Sequence, residues 1–177
     1  MAIRIEQSLQ QTTDAYALLS RVDLDHVRVA ASSVISRNRP STPLSNLGCE
    51  IGFEPDRSAI DGSVLLIVTE FSCRVRDQSP GTPPPPVVEL TVHLEASYNI
   101  LEPDYTPSDA EIDAFRRGNA VFNCWPYFRE FAASMFTRMG FPPPSVPFLR
   151  LVPLRDSNTV RDERPSSVKK SRKALPA

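Results

Sequence analysis

This 177-residue sequence has three cysteines, Cys49, Cys73 and Cys124, and the titratable side chains that could carry catalysis are few: His26, His93 and Cys124. Nucleophilic catalysis needs a thiol or hydroxyl within hydrogen-bond reach of a base that a third group orients, and no local motif links these residues in that way. The cysteines are odd in number and far apart, with no Cys-x-x-Cys pair, which argues against a disulfide framework and against a zinc site. Six scattered glycines offer no phosphate-cradling loop. His93 falls on the polar parity of an alternating strand and reads as a solvated sheet residue. Cys124, beside Trp125 in an apolar run, reads as a small buried hydrophobe. Arg129 and Glu130 are not an acid–base couple, because adjacent helix residues diverge by about 100°. They read as members of separate ion pairs. The expectation is a binding protein rather than an enzyme, with no cofactor and no metal.

Charge and composition narrow the partners. No stretch approaches the roughly 20 apolar residues that span a bilayer, and the opening MAIRIEQSLQQ is polar where a signal peptide needs its apolar segment. A cytoplasmic protein with no membrane insertion is expected. The net charge of −1 conceals an asymmetry. Residues 1–154 hold thirteen arginines and no lysine against eighteen acidic residues, a balance of −5, while 155–177 hold seven basic and three acidic residues, a balance of +4. A mildly acidic body gives no electrostatic reason to bind nucleic acid. The basic tail, 155–177, is expected to be disordered.

The elements that must position any site follow from periodicity. Ile5, Leu9, Thr12, Tyr16 and Leu19 form a thin apolar stripe, so residues 1–23 are expected as an amphipathic N-terminal helix capping the sheet. Four strand signals come next. Val27, Val29, Ala31 and Ile35 mark the first, and Cys49, Ile51 and Phe53 alternate with Glu50, Gly52 and Glu54 in the second. Residues 64–76 begin as a solid apolar run and then alternate. Residues 87–100 set Val88, Leu90, Val92, Leu94, Ala96, Tyr98 and Ile100 against Glu89, Thr91, His93, Glu95, Ser97 and Asn99. One dry face and one wet face is the pattern of an antiparallel sheet. Asp61-Gly62 reads as a tight turn, 39–47 as a long crossover, and the proline run ending at Pro86 as a stiff loop.

Helices close the body. Ser108-Asp109-Ala110-Glu111 is a capping box, and Gly118-Asn119 breaks or bends the helix it starts. A second run, 119–139, carries Val121, Trp125, Phe128, Ala132, Met135 and Met139 on one stripe, widened by Phe122, Phe131 and Phe136. Pro126 kinks it or sits in its opening turn, and Gly140 with Pro142, Pro143 and Pro144 ends it. The fold class is α+β: a four-stranded antiparallel sheet with a long kinked helix, in a body of 24–154. One sheet face cannot cover a helix this apolar on several sides, which predicts either oligomerisation through 119–139 or a groove for another chain's apolar residues. The prolines keep the following segment, 141–154, extended and irregular, as suits the lining of a cleft.

Trp125-Pro126-Tyr127-Phe128-Arg129-Glu130, followed by Ser134-Met135, Arg138 and Phe141-Pro142, resembles the helix of the protein-export chaperone SecB. The preceding four strands with a long crossover after the first are similar to that family's fold, and the likeness spans roughly 24–154. It implies a homotetramer, a dimer of dimers, acting as an ATP-independent holdase for unfolded polypeptides. It implies a groove with Leu44, Leu47, Ile51 and Phe53 on one wall and Phe136, Phe141, Phe148 and Leu151 on the other. It also implies an oligomer interface through Trp125, Tyr127, Phe128, Arg129, Glu130 and Met135. The export family is strongly acidic and docks an acidic sheet face on the motor SecA. This body is only −5 and mixes Arg74 and Arg76 into its wet faces, and a proline-broken basic tail is expected in place of the family's C-terminal helix. An added N-terminal helix and a missing C-terminal one look more like the SecB-like chaperones that guard antitoxins. Export clients and an antitoxin both remain readings of the partner, and a small-ligand-binding α+β module is the alternative.

Overall fold

The computed structural model describes residues 2–37, 47–78 and 86–153. The expected crossover, most of the proline loop, the basic tail, Leu44 and Leu154 lie outside these residues.

The central sheet is the four-stranded antiparallel one that the alternation predicts. Its strands are β2 (Val22–Ser36), β3 (Leu47–Asp61), β4 (Val64–Asp77) and β5 (Val88–Ile100), in the spatial order β2-β5-β4-β3. Antiparallel register pairs Glu70 with His93, Phe71 with Val92 and Ile51 with Cys73. The even residues of β5 from Val88 to Tyr98 are buried, as are Leu65, Ile67, Phe71, Cys73 and Val75 of β4. Each such large apolar side chain contributes about 1.5–3 kcal/mol on burial. β3 outruns its sequence signal because it is an edge strand. Pro55 has no N–H to give a ladder, which an edge tolerates, and the register slips between Pro55 and Arg57 in a bulge.

A continuous helical run covers the dry face: α2 (Asp109–Phe115), a π-helical turn (Arg116–Ala120) and α3 (Val121–Arg138). The predicted capping box is present, with Ser108 N–H donating to Glu111 Oε2 at 2.8 Å and Glu111 N–H donating to Ser108 Oγ at 3.4 Å. The Gly118-Asn119 break is the π turn, which re-aims the helix without ending it. Gly118 allows a close approach there, since a Cβ would stand 2.3 Å from Gln7 Nε2 and the glutamine would have to shift. That buried amide donates to the Ala114 carbonyl at 3.2 Å and ties the N-terminus to the bend. Pro126 lies inside α3. The core is aromatic where helix meets sheet: Phe71 and Phe128 stack at 4.9 Å, and Trp125 packs on both Phe71 and Phe53.

Two expectations are corrected. The helix expected over 1–23 is not one element: Ala2–Gln7 is a strand, β1, and only Leu9–Leu19 is helical, as α1. Ile3 and Ile5 alternate with Arg4 and Glu6 at period two, and Ser8 with Gln11 forms a second capping box that starts the helix. The helical spacing from Ile5 to Leu9 joins two elements that are physically distinct. The segment 141–154 is not irregular throughout, because Phe148–Pro153 is a strand, β6, paired in parallel with β1 from Ala2↔Phe148 to Gln7↔Pro153.

Candidate functional site

Local rules at the end of α3 build the site. Gly140 takes a φ of 78°, and the helix closes with the Phe141 N–H on the Phe136 carbonyl at 2.9 Å and the Gly140 N–H on the Thr137 carbonyl at 3.0 Å. This double bond pattern brings the residue after the glycine back over the last turn. It sets the Phe141 ring edge-on to Phe136 at 6.4 Å. Pro142, Pro143 and Pro144 then keep the chain from resuming the helix, and the Val146 N–H turns back onto the Pro144 carbonyl at 2.9 Å. The far end of this loop is fixed where Trp125 Nε1 donates to the Pro147 carbonyl at 2.9 Å.

The space left between this loop and the sheet is a cleft of about 290 Å³. Phe136, Phe141 and the three prolines form one wall, and Leu47, Gly48 and Cys49 of β3 with Val75 of β4 form the other. Among the described residues β3 pairs with β4 alone, so its outer edge keeps unpaired backbone donors and acceptors beside the cleft. The arrangement joins an apolar trough to an open strand edge. Such a trough can seat apolar side chains while the edge takes up another backbone.

The structure brings together three of the residues expected to hold a client, Leu47, Phe136 and Phe141. Ile51 and Phe53 continue along β3, half-buried against the core, with Phe53 edge-on to Trp125 at 5.9 Å. Phe148 and Leu151 do not join this cleft. Phe148 is 68% exposed under the Arg129 guanidinium, 4.9 Å from its ring, while Leu151 pairs with Ile5. Leu151 lines a separate hollow of about 180 Å³ with Tyr16, Leu19 and Asn119. Both residues belong to β6, and its pairing with β1 carries them elsewhere. Sequence reasoning did not single out Cys49 and Val75 as cleft residues; their inward parity was legible, but their adjacency comes only from the β3–β4 register.

The residues expected at an oligomer interface divide. Trp125 and Phe128 are 4% and 0% exposed within this chain, so its own core consumes them and they have no surface to offer a partner. Tyr127 is 46% exposed, Glu130 is exposed, and Arg129 and Met135 are half-buried on α3. Arg129 already caps Phe148 in its own chain.

The wet face carries charges of both signs in pairs. Arg28 meets Glu95 at 2.6 Å and Arg37 meets Glu89 at 2.5 Å, and the Arg37 contact holds the Glu89 carboxyl below its usual range. His93 stands 3.5 Å from Asp56 and 3.6 Å from Glu70, half-buried between two carboxylates rather than fully solvated. Burial pushes the Cys124 thiol up to about 12. Among the described residues no group of three or more His, Cys, Asp or Glu side chains is placed to hold a metal ion, and no helix is long and apolar enough to cross a membrane.

No protein-family model matches the sequence, and no curated protein matches it. Among solved structures the chain is similar to the Mycobacterium tuberculosis SecB-like chaperone in complex with a ChAD peptide from the HigA1 antitoxin. That match has a TM-score of 0.70 and 19% identity, and covers 80% of this chain and 100% of that one. A protein from Streptococcus agalactiae matches with a TM-score of 0.40 and 12% identity, over 72% of this chain and 97% of that one. The first match assigns the chain the SecB-like fold that its helix motif resembles.

Proposed function

We propose that this chain is an ATP-independent holdase that binds unfolded or aggregation-prone polypeptide segments in the cleft between the β3 edge and residues 141–145. The observation that carries this reading is the junction of an apolar trough with a strand edge that is unpaired among the described residues. An extended client lays alternate side chains against Leu47, Phe136 and Phe141, and its backbone pairs with β3. Many weak contacts of this kind favour apolar character over a particular sequence. The mechanism is binding, not catalysis.

A disordered antitoxin is the client class that the reading favours over export precursors. The solved chaperone of the same fold holds an antitoxin peptide. Two carboxylates of the wet sheet face, Glu95 and Glu89, are taken up by Arg28 and Arg37, which reduces the acidity that a SecA-type contact would draw on. Assembly into a tetramer through the exposed side of α3, around Tyr127 and Glu130, would multiply the clefts and give avidity.

Light scattering of an aggregating client tests the reading. Suppression at one chaperone assembly per client is the expected result. Unaltered aggregation, together with tight binding of a small molecule in the cleft, would favour a ligand-binding module instead.

A further inference from the structure

The β3–β4 register places Cys49 opposite Val75 and Cys73 opposite Ile51, so the two cysteines are diagonal neighbours on one face of the sheet. Right-handed strand twist shortens one diagonal of such a quartet. Here the sulfurs lie 3.0 Å apart while both cysteines remain free thiols. A disulfide sulfur pair is separated by about 2.05 Å, so bond formation asks the two sulfurs to close by roughly 1 Å.

We propose that Cys49 and Cys73 form a peroxide-responsive dithiol that closes to a disulfide within the chain, at the wall of the cleft. The two sulfurs have different surroundings. Cys49 is exposed and lines the cleft, whereas Cys73 is buried beneath it. The Cys73 thiol bonds to Cys49, holding the Cys49 thiol below its usual range, and the same bond together with burial pushes Cys73 up. Cys49 is therefore the attacking thiolate and Cys73 the resolving thiol. The Cys49 sulfur attacks one oxygen of hydrogen peroxide and the O–O bond breaks. Cys49 becomes a sulfenic acid, and the departing hydroxide takes a proton to become water. The Cys73 sulfur then attacks the Cys49 sulfur, the S–O bond breaks, and the second hydroxide leaves with the Cys73 proton as water. Two electrons pass from the sulfur pair to one peroxide, which yields two waters.

The bond turns the Cys49 side chain away from the cleft and fastens the edge strand to its neighbour. The effect on client binding rests on the holdase reading; the dithiol itself does not. The full chain is treated with hydrogen peroxide, unfolded, alkylated and mapped by mass spectrometry. The expected result is a Cys49–Cys73 linkage that dithiothreitol reverses, with Cys124 alone alkylated. Cys49→Ser should leave both remaining thiols alkylated. Three alkylated thiols in the treated wild type, or Cys49 over-oxidised beside a free Cys73, would overturn the dithiol.

A labelled apolar peptide separates the second claim. Its affinity for wild type should weaken at least threefold on oxidation and recover on reduction, with no peroxide response in Cys49→Ser. Linkage without any affinity change would refute the coupling to the cleft. Linkage with no peptide binding in either state would refute the holdase reading and leave the dithiol standing.

Discussion

Trp125 anchors the loop that follows its own helix: its indole Nε1 donates to the Pro147 carbonyl at 2.9 Å, twenty-two residues downstream. The same ring packs edge-on against Phe53 and Phe71. One side chain therefore couples the aromatic core to the far end of the segment that walls the cleft. The near end is set by the glycine-terminated helix that folds Phe141 over Phe136.

Trp125→Phe keeps most of the ring contact and removes the donor. Stability should fall by about 1 kcal/mol from the lost bond, with a further contribution from the smaller ring. Client affinity should fall several-fold, because the loop loses its far anchor. Denaturant unfolding and peptide anisotropy measure the two effects separately. An unchanged affinity would show that the loop does not depend on this bond.

Phe128 and Tyr127 are adjacent on α3 and predict opposite behaviour. Phe128→Ala empties a buried position stacked on Phe71 and should cost about 3–5 kcal/mol. Tyr127→Ala removes an exposed ring and should leave the protomer's unfolding within about 0.5 kcal/mol of wild type. If α3 joins subunits, Tyr127→Ala should nevertheless lower the native mass at micromolar concentration. A native mass identical to wild type would move the subunit contact elsewhere.

Acid should loosen the helical layer at its start. Arg117 and Arg116 hold the Asp113 carboxyl below its usual range. At Glu111 burial works the other way, but bonds from Ser108 prevail and the carboxyl is also lowered. A carboxylate lowered in the folded state stabilises above its ordinary value, about 4, and that stabilisation is lost as pH falls through the folded value. The melting temperature should therefore drop more steeply below pH 4 in wild type than in Asp113→Asn. The difference should be modest, since water screens both groups. Parallel curves for the two proteins would contradict the assignment.

The legible and illegible parts of this chain separate by the range of the interactions that decide them. Strict alternation in β5, the Ser108 capping box and the Gly140 stop are local rules, and the sequence displays each without ambiguity. Pairing between distant segments is not local. Nothing near Ile3 or Phe148 marks them as neighbours in a parallel pair, and so β1 and β6 were hidden inside a helix and a loop. The same limit governs the site. Phe136 and Phe141 are brought together by a helix end, whereas Cys49 and Val75 meet them only through sheet register. Phe148 and Leu151 share the composition of the cleft wall but follow β6 to another surface. Trp125 and Phe128, prominent in the helix motif, turn inward because the dry face of β4 presents Phe71 to them.

Hydrogen exchange with and without a bound client tests the central claim most directly. Amides on the outer edge of β3 between Leu47 and Phe53, and those of residues 141–146, should slow together when an unfolded polypeptide binds. Protection confined to β2 or to the wet sheet face, with the β3 edge unchanged, would contradict the cleft as the client site.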